Sequence, residues 1–472
     1  MLSILVGFLA GLGTLILKNS TYFIQKLLEG NLIKELHHSM YFIFPIIGLF
    51  LVFLIKKYVL KKEIGHGIST TLHAISKQSG IIERYKIFAS ILTAPITVGF
   101  GGSAGLQGPS VSTGAALGST ISQWFHMNAK TRMLLIGCAT AGAMSSMFKA
   151  PIAAIIFAVE IFSLDLAFAS LIPLLLASIA AVITSYFFRG TDVLFGFELQ
   201  DVFEIKDLPL YVILGIGTGI ASVYFSKMYF AVTYFFNRFS NPIKKLFIGG
   251  ISIGILLFFI PSLYGEGYGL INNLLKGNTE SVLKSIPYDF NFRNVWTVIL
   301  LLLMIAVFKA IAMTTTFAAG GVGGIFIPTL FMGSILGNVF AKIVHEFGFS
   351  VSESNFTLIG MTGLMAGVLH APLTAIFLIA EITGGYDLFV PLMLVSAISF
   401  VFTKYFVANS IYTVELAKRG ELITHNKDKN VLMMMDIDSF VETDFTPVFP
   451  EMTLESLLKE VVAKSSRNFD LI

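Results

Sequence analysis

Long uncharged stretches dominate the chain, and short polar segments separate them. The uncharged stretches cover residues 41–55, 87–125, 166–188, 208–225, 246–264, 295–308, 310–341, 355–380 and 388–403. Several are shorter than the roughly 20 residues that a membrane-spanning helix needs, and others are longer but interrupted by glycine and proline. The pattern predicts an all-α polytopic membrane protein in which many helices are broken, tilted or re-entrant.

The stretch between Lys86 and His126 contains the most informative interruption. The segment GLQGP, from Gly105 to Pro109, would break a helix at membrane depth. Non-helical backbone at that depth must line something polar, and Pro109 suits the first turn of a helix. The sequence therefore predicts a glycine loop that opens onto a half-helix, with its amides and positive dipole end directed at an anion.

Glycine and proline recur at matching positions in two halves of the chain. Pro109 in the first half and Pro328 in the second are each followed by glycines 5 and 9 residues later. Interrupted helices in matching positions are typical of transporters that bind their substrate between two repeats near the membrane midplane. We predict repeat halves over about 40–190 and 210–412, with two half-helix N-termini facing one anion.

A second pair of matching positions supports the duplication. Pro151 and Pro372 each precede a glutamate by 9 residues, namely Glu160 and Glu381. Intramembrane carboxylates are functional candidates by default. The alternative is that each is a buried carboxylate bonded to backbone donors, and the matched position in both halves favours this architectural role.

Composition narrows the functional class. Hydrophobic residues make up 55% of the 472 residues and charged residues 13%, against about 25% charged in soluble domains. The basic excess, 32 Lys and Arg against 29 Asp and Glu, is too small to suggest nucleic-acid binding. The sequence lacks HExxH and an Asp pair at helical spacing, so we expect neither an enzyme nor a metal or organic cofactor.

The last part of the chain is more polar. Residues 421–472 combine short strand-like runs with an amphipathic helix from Leu454 to Val462, as at the start of an α/β module. About fifty residues cannot bury a sound core alone, so we expect this module to be incomplete. Basic clusters predict that the loop after the second segment and the C-terminal end are cytosolic: Lys56, Lys57, Lys61, Lys62, Lys418 and Arg419.

Four motifs in order resemble the CLC family of chloride channels and proton-coupled anion exchangers, and the resemblance covers residues 1 to about 420. The segment GLQGP, from Gly105 to Pro109, is similar to the family's G-x-E-G-P loop, and Gly323 to Pro328, GGIFIP, to its G-x-F-x-P loop. Gly65 to Ser69 resembles the first anion loop, G-S-G-I-P, and Ser410 to Tyr412 resembles the segment with the pore tyrosine. Residues 421–472 similarly resemble the opening of a cystathionine-β-synthase-type (CBS) domain.

The resemblance implies a homodimer in the lipid bilayer, with an anion path in each subunit. It implies a central chloride held by the side chains of His66 and Tyr412 and by the amides of Ile325 and Phe326. A more external anion position would be lined by the backbone of Gly105, Leu106, Gln107 and Gly108 and of Ile325, Phe326 and Ile327. Backbone dipoles and hydroxyls can bind chloride without holding it too tightly to leave.

Three positions depart from the family pattern. Gln107 replaces the gating glutamate, and an amide carries neither the negative charge nor the titratable proton; one sequence does not tell whether the change is natural or engineered. Ile161 stands where the exchangers have a second, proton-relaying glutamate. His66 replaces a serine, and either its ring contacts the ion or only the loop amides do. Tyr412 is either a pore ligand or an interfacial tyrosine.

These observations predict passive transport of chloride through a CLC-type path, without proton coupling because position 107 is Gln107. The alternative is a proton-coupled chloride or fluoride antiporter seen as a Glu-to-Gln variant. A cation-coupled solute symporter is more remote, since helix N-termini favour anions. We expect a bacterial inner membrane with a cytosolic C-terminus; the sequence leaves open whether the tail binds a nucleotide.

Overall fold

The computed structural model describes residues 1–28, 40–62, 64–65, 67–163, 168–190, 195, 204–279, 294–418 and 451–459. These residues are helical apart from their loops, with a single isolated β-bridge among them. The chain forms two compact units, Met1–Leu422 and Ile423–Ile472. The second unit contains the short helix Leu454–Leu457. The other predicted elements of the CBS-like tail lie outside the described residues.

The first unit consists of two successive sets of helices. The first set is α1 Leu2–Leu27, α2 Met40–Leu54, α3 Gly67–Lys77, α4 Tyr85–Gly99, α5 Gln107–Trp124, α6 Ala129–Phe148, α7 Pro151–Phe162 and α8 Phe168–Arg189. The second set is α9 Leu208–Asn237, α10 Pro242–Phe259, α11 Tyr268–Leu275, α12 Val295–Ala318, α13 Phe326–Glu346, α14 Glu353–Leu369, α15 Pro372–Ile382 and α16 Phe389–Phe406. The short helix α17, Val414–Lys418, follows, and α2 continues in a π-helical turn over Ile55–Leu60.

The helices have unequal lengths, as the interrupted pattern predicts. Eight of the described helices are long and apolar enough to cross a membrane: α1, α2 with its π-helical turn, α8, α9, α10, α12, α13 and α16. The apolar helices α4, α7 and α15 are shorter. The prediction of an all-α polytopic membrane protein with broken helices is confirmed.

The two sets pack in the same order. In the first set, α1 packs against α6 and α8, and in the second set α9 packs against α14 and α16. The pairs α5 with α6 and α13 with α14 also correspond. The correspondence therefore extends to α1, which precedes residue 40.

The repeated glycines explain why these helix pairs approach so closely. A Cβ on Gly118 would lie 2.5 Å from the carbonyl oxygen of Leu135 on α6, and a Cβ on Gly333 would lie 2.6 Å from the carbonyl oxygen of Gly360 on α14. Small residues at such crossings let two helix backbones touch inside a membrane. The glycine spacing after Pro109 and Pro328 thus encodes helix packing in both halves.

Candidate anion site

The two glycine loops of the repeats are bonded to each other. The Gly105 amide donates to the Gly324 carbonyl at 2.9 Å, and the Gly324 amide donates to the Gly105 carbonyl at 2.7 Å. Each glycine therefore donates its amide to the glycine of the other loop and accepts that glycine's amide in return. This reciprocity is the local signature of a twofold relation between the halves.

Two threonines, one on the helix that precedes each loop, hold the loops through hydrogen bonds to the backbone. The Val322 amide donates to Oγ1 of Thr97 on α4 at 3.0 Å, and the Ser103 amide donates to Oγ1 of Thr316 on α12 at 3.2 Å. Each helix thus positions the loop of the opposite half. Without these hydroxyls, two buried amides would lose their acceptors.

The helices that leave these loops begin close together. Helix α5 begins at Gln107 and α13 at Phe326, so Pro109 and Pro328 lie in their first turns, as predicted. The first-turn amides of a helix have no acceptor inside the helix. Neither N-terminus has a side-chain cap, in contrast to α6, α10, α12 and α14, which asparagine or serine caps. The two starts can therefore offer N–H groups to an anion.

A third loop reaches the same place. A Cβ on Gly67 would lie 2.8 Å from the Gly108 carbonyl oxygen, and a Cβ on Gly108 would lie 3.1 Å from the Gly323 carbonyl oxygen. The segment that resembles G-S-G-I-P therefore contacts the first turn of α5, which in turn contacts the loop before α13. His66 itself lies outside the described residues.

Gln107 is fully buried and its amide group is partly bonded. Its Nε2 donates to Tyr268 Oη at 3.3 Å and lies 3.5 Å from Glu266 Oε1. Its Oε1 has no hydrogen-bond partner among the described residues. The Leu106 amide, predicted to line the external anion position, donates to Glu266 Oε1 at 3.0 Å. A carboxylate thus already uses one of the predicted anion-binding amides.

Glu266 was missed by the sequence reasoning. It lies in a tight turn between Gly265 and Gly267, whose φ angles are 57° and 87°. Lys309 is fully buried, and its Nζ donates to the Gly265 carbonyl at 3.0 Å and lies 4.5 Å from the centre of the Phe331 ring. The sequence feature that could have identified it is a single glutamate between two glycines in an apolar region.

The remaining predicted site residues are buried. Tyr412 is 7% exposed, and its hydroxyl lacks a hydrogen-bond partner among the described residues. The Phe326 ring packs on Phe148 and Phe157, with centroids 5.3 and 6.3 Å apart, so only its amide is available to an ion. Ile161 is a buried apolar side chain.

Glu160 and Glu381 cap helices of the opposite half. Glu381 accepts from the amides of Ile152 and Ala153 at the start of α7, at 3.0 and 2.7 Å. Glu160 accepts from the second and third residues of α15 at 3.1 and 2.8 Å, and from the hydroxyl of Thr374 at 2.6 Å. Carboxylates at helix N-termini are stabilising. The architectural interpretation of both glutamates is confirmed.

A cavity of about 290 Å³ lies beside Glu266. Its lining is rich in charged and polar groups: Lys18, Thr21, Gln25, Lys149, Ser185, Arg189, Glu266 and Tyr268, with the apolar or aromatic Tyr22, Met147 and Phe148. Three cations around one carboxylate favour the approach of small anions. The sequence reasoning missed Lys18 and Arg189.

The comparisons with known proteins agree with this geometry. The family model described as voltage gated chloride channel matches residues 47–404. The chain belongs to the CLC family. This CLC protein is 28% identical over 384 residues to a ClcB-like chloride channel protein of Ralstonia nicotianae. The match covers 80% of this chain and 85% of that relative. It is also 28% identical over 327 residues to the H+/Cl− exchange transporter ClcA of Vibrio cholerae, covering 67% of this chain and 66% of ClcA.

Solved structures show the same fold at low sequence identity. A slow cyanobacterial Cl−/H+ antiporter has a TM-score of 0.75 at 22% identity, and the match covers 89% of this chain and 97% of that one. A CLC-type fluoride/proton antiporter has a TM-score of 0.69 at 22% identity, over 87% and 95%. This CLC protein is an integral membrane protein whose family transports anions.

Proposed function

We propose that this CLC protein transports chloride passively, without proton coupling at position 107. The observation that carries the proposal is the pair of mutually bonded glycine loops, Gly105 with Gly324, at which two half-helices begin. Their amides and dipole ends supply a positive potential without a full charge, which lets an anion bind and leave. The third loop, at Gly67, contacts the same place.

The anion would be held by the residues predicted from the family resemblance. The central anion would be bound by the amides of Ile325 and Phe326 at the uncapped start of α13 and by the side chains of Tyr412 and His66. The backbone of Ile325, Phe326 and Ile327 would also line the outer position. The backbone of Gly105, Leu106, Gln107 and Gly108 would line the outer position. The unpartnered Tyr412 hydroxyl supports this assignment, because a buried hydroxyl without a partner is costly.

Gln107 is the reason to expect passive transport. Its amide cannot release or bind a proton, and Ile161 cannot relay one. Gln107 is also held in place by Tyr268, which favours a fixed side chain over a swinging one. The two capping glutamates are committed to backbone amides, which argues against the more remote cation symporter.

The alternative function is a proton-coupled antiporter. Its support is that several relatives, including the Vibrio cholerae ClcA, are exchange transporters and that the similar folds include two antiporters. In that case the chain with Gln107 is an uncoupled form of an exchanger, and glutamate at 107 would restore proton movement.

The test is chloride efflux from loaded proteoliposomes, with external pH recorded and a potassium ionophore that fixes the voltage. We expect the wild type to release chloride without moving protons, and Gln107→Glu to do the same if the path is passive by design. Proton pumping by Gln107→Glu would establish the antiporter alternative. An absence of chloride flux in both forms would contradict an anion path.

We further propose a homodimer in a bacterial inner membrane, with the C-terminal end in the cytosol. The bacterial relatives support the membrane assignment, and the basic clusters support the orientation. Crosslinking in vesicles tests the dimer, and protease access to the tail beyond residue 420 tests the orientation. Whether residues 421–472 belong to a CBS-like domain stays a prediction.

A further inference from the structure

We propose that Glu266 takes the place of the carboxylate missing at position 107. In this proposal its carboxylate competes with the transported anion for the Leu106 amide at the outer position, and acid releases that amide. The inference rests on the proposed anion path and deepens it, because it assigns the pH-sensitive group to a different element of the fold.

The first support is where the carboxylate is bonded. Glu266 is 8% exposed, and its Oε1 accepts the Leu106 amide at 3.0 Å, immediately before the start of α5. An anion at the outer position would need the same N–H. The carboxylate and the anion are therefore mutually exclusive partners for Leu106.

The second support is the contact with Gln107. Its Nε2 lies 3.5 Å from Glu266 Oε1 and donates to Tyr268 Oη at 3.3 Å. A glutamate at 107 would put a second negative charge beside Glu266, so the amide is the residue compatible with an ionised carboxylate there. In this proposal Gln107 keeps the shape of the gating glutamate, and Glu266 supplies its negative charge.

The third support is that the Glu266 side chain has room to move while its backbone is held in place. Lys309 bonds the carbonyl groups of Leu263 and Gly265, at 3.4 and 3.0 Å, and so fixes the turn that carries Glu266. Beside the turn lies the cavity of about 290 Å³, which Glu266 lines. The backbone is held, and space exists into which the carboxylate can rotate.

Charged and titratable groups face Glu266 from several elements. They are Lys18 on α1, Lys149 after α6, Arg189 at the end of α8, Tyr268 on α11 and Lys309 on α12. Burial favours the neutral form of Glu266, whereas Lys18, Lys309 and the bond from the Leu106 amide favour its negative form. Protonation removes that charge, weakens its bond to Leu106 and leaves the amide to chloride.

The experiment measures chloride efflux from proteoliposomes made with the full chain, at external pH from about 7.5 to about 4.5, a range that spans carboxylate titration. We expect the wild-type flux to rise roughly tenfold towards acid, the factor that loss of a competitor of moderate strength gives. Glu266→Gln should conduct at neutral pH as fast as the wild type does in acid, and its flux should not change with pH. Glu346→Gln, an exposed glutamate at the end of α13, is the matched control and should keep the wild-type profile.

A swap variant separates a titrating role from a structural one. Gln107→Glu combined with Glu266→Gln moves the carboxylate to the other side of the same contact. We expect it to regain a pH-dependent flux that Glu266→Gln alone has lost. A residue that only supported the turn would not be rescued in this way.

Each outcome bears on one proposal. If the wild type conducts and Glu266→Gln keeps its pH profile, Glu266 is not the competing group. If Glu266→Gln does not conduct, thermal unfolding shows whether the variant is folded, and calorimetry measures its affinity for chloride. A folded variant with unchanged chloride affinity overturns the inference. A roughly tenfold higher chloride affinity upholds it. If no variant and no wild type binds or moves chloride, the proposed function itself fails. Proton movement by the wild type that Glu266→Gln abolishes would uphold Glu266 and contradict passive transport.

Discussion

The loop before α5 and the loop before α13 have matching backbones and different surroundings. Gly105 and Gly324 exchange the same two hydrogen bonds, and each half-helix carries a proline in its first turn. At equivalent positions, however, α5 begins with the polar Gln107 and α13 with Phe326, whose ring packs between two other aromatic rings. The comparison teaches that the same loop backbone carries a polar, hydrogen-bonded side chain in one half and a closely packed aromatic side chain in the other.

The strongest test of the comparison concerns the two bridging glycines. A Cβ on Gly324 would lie 2.6 Å from the Gly108 amide nitrogen, so Gly324→Ala must push two backbones apart. A Cβ on Gly105 would meet chiefly the movable Oε1 of Gln107. We expect Gly324→Ala to lower the free energy of unfolding by about 1–3 kcal/mol and to reduce chloride flux at least about tenfold.

Gly105→Ala is the matched control and should cost less than half as much in both measurements. Thermal unfolding in detergent and efflux from proteoliposomes give the two values. Equal losses in the two variants would show that the halves are equally rigid and would remove the asymmetry between them.

A comparable loss of stability, with no tenfold loss of flux, is expected when the two threonines that hold the loops are replaced. Thr97→Val and Thr316→Val each leave one buried amide without its acceptor, at Val322 and Ser103 respectively. We expect each to lower the free energy of unfolding by about 1–3 kcal/mol. If the loops are equivalent in backbone, the two losses should agree within about 0.5 kcal/mol. A large difference in chemical or thermal denaturation would break the proposed symmetry.

The smallest effect concerns the capping glutamates. Glu160→Ala and Glu381→Ala each remove the cap of a helix in the opposite half, at a cost of about 0.5–2 kcal/mol in unfolding free energy. Glu160 should cost more, because it also accepts the Thr374 hydroxyl. Removing that hydroxyl with Thr374→Ala should make the two glutamates equivalent when the substitutions are repeated in that background. A larger loss for Glu381→Ala in thermal unfolding would contradict this ranking.

The backbone features could be predicted from the sequence because glycine and proline report local geometry. The repeat, the half-helix starts near Pro109 and Pro328 and the role of Glu160 and Glu381 all follow from spacing alone. Tertiary contacts could not be predicted in this way. Glu266 is about 160 residues from Gln107 along the chain, and only folding brings the two together.

The start of the first repeat shows a related limit. Spacing placed it at about residue 40, because the matching glycine and proline positions of the two halves all lie beyond α1. Packing reveals the correspondence of α1 with α9, since each crosses the same two partners in its own half. Long regular helices carry little sequence information about which partner they pack against.

The bridge between Gly105 and Gly324 also limits how this protein can move. The two hydrogen bonds between the halves would both be broken if one half slid past the other by more than roughly 1 Å. Transporters that rock one repeat against the other need a seam that slips. Here two backbone hydrogen bonds join the halves at the glycine loops, so we expect transport to involve side-chain movements and not a sliding of one half past the other.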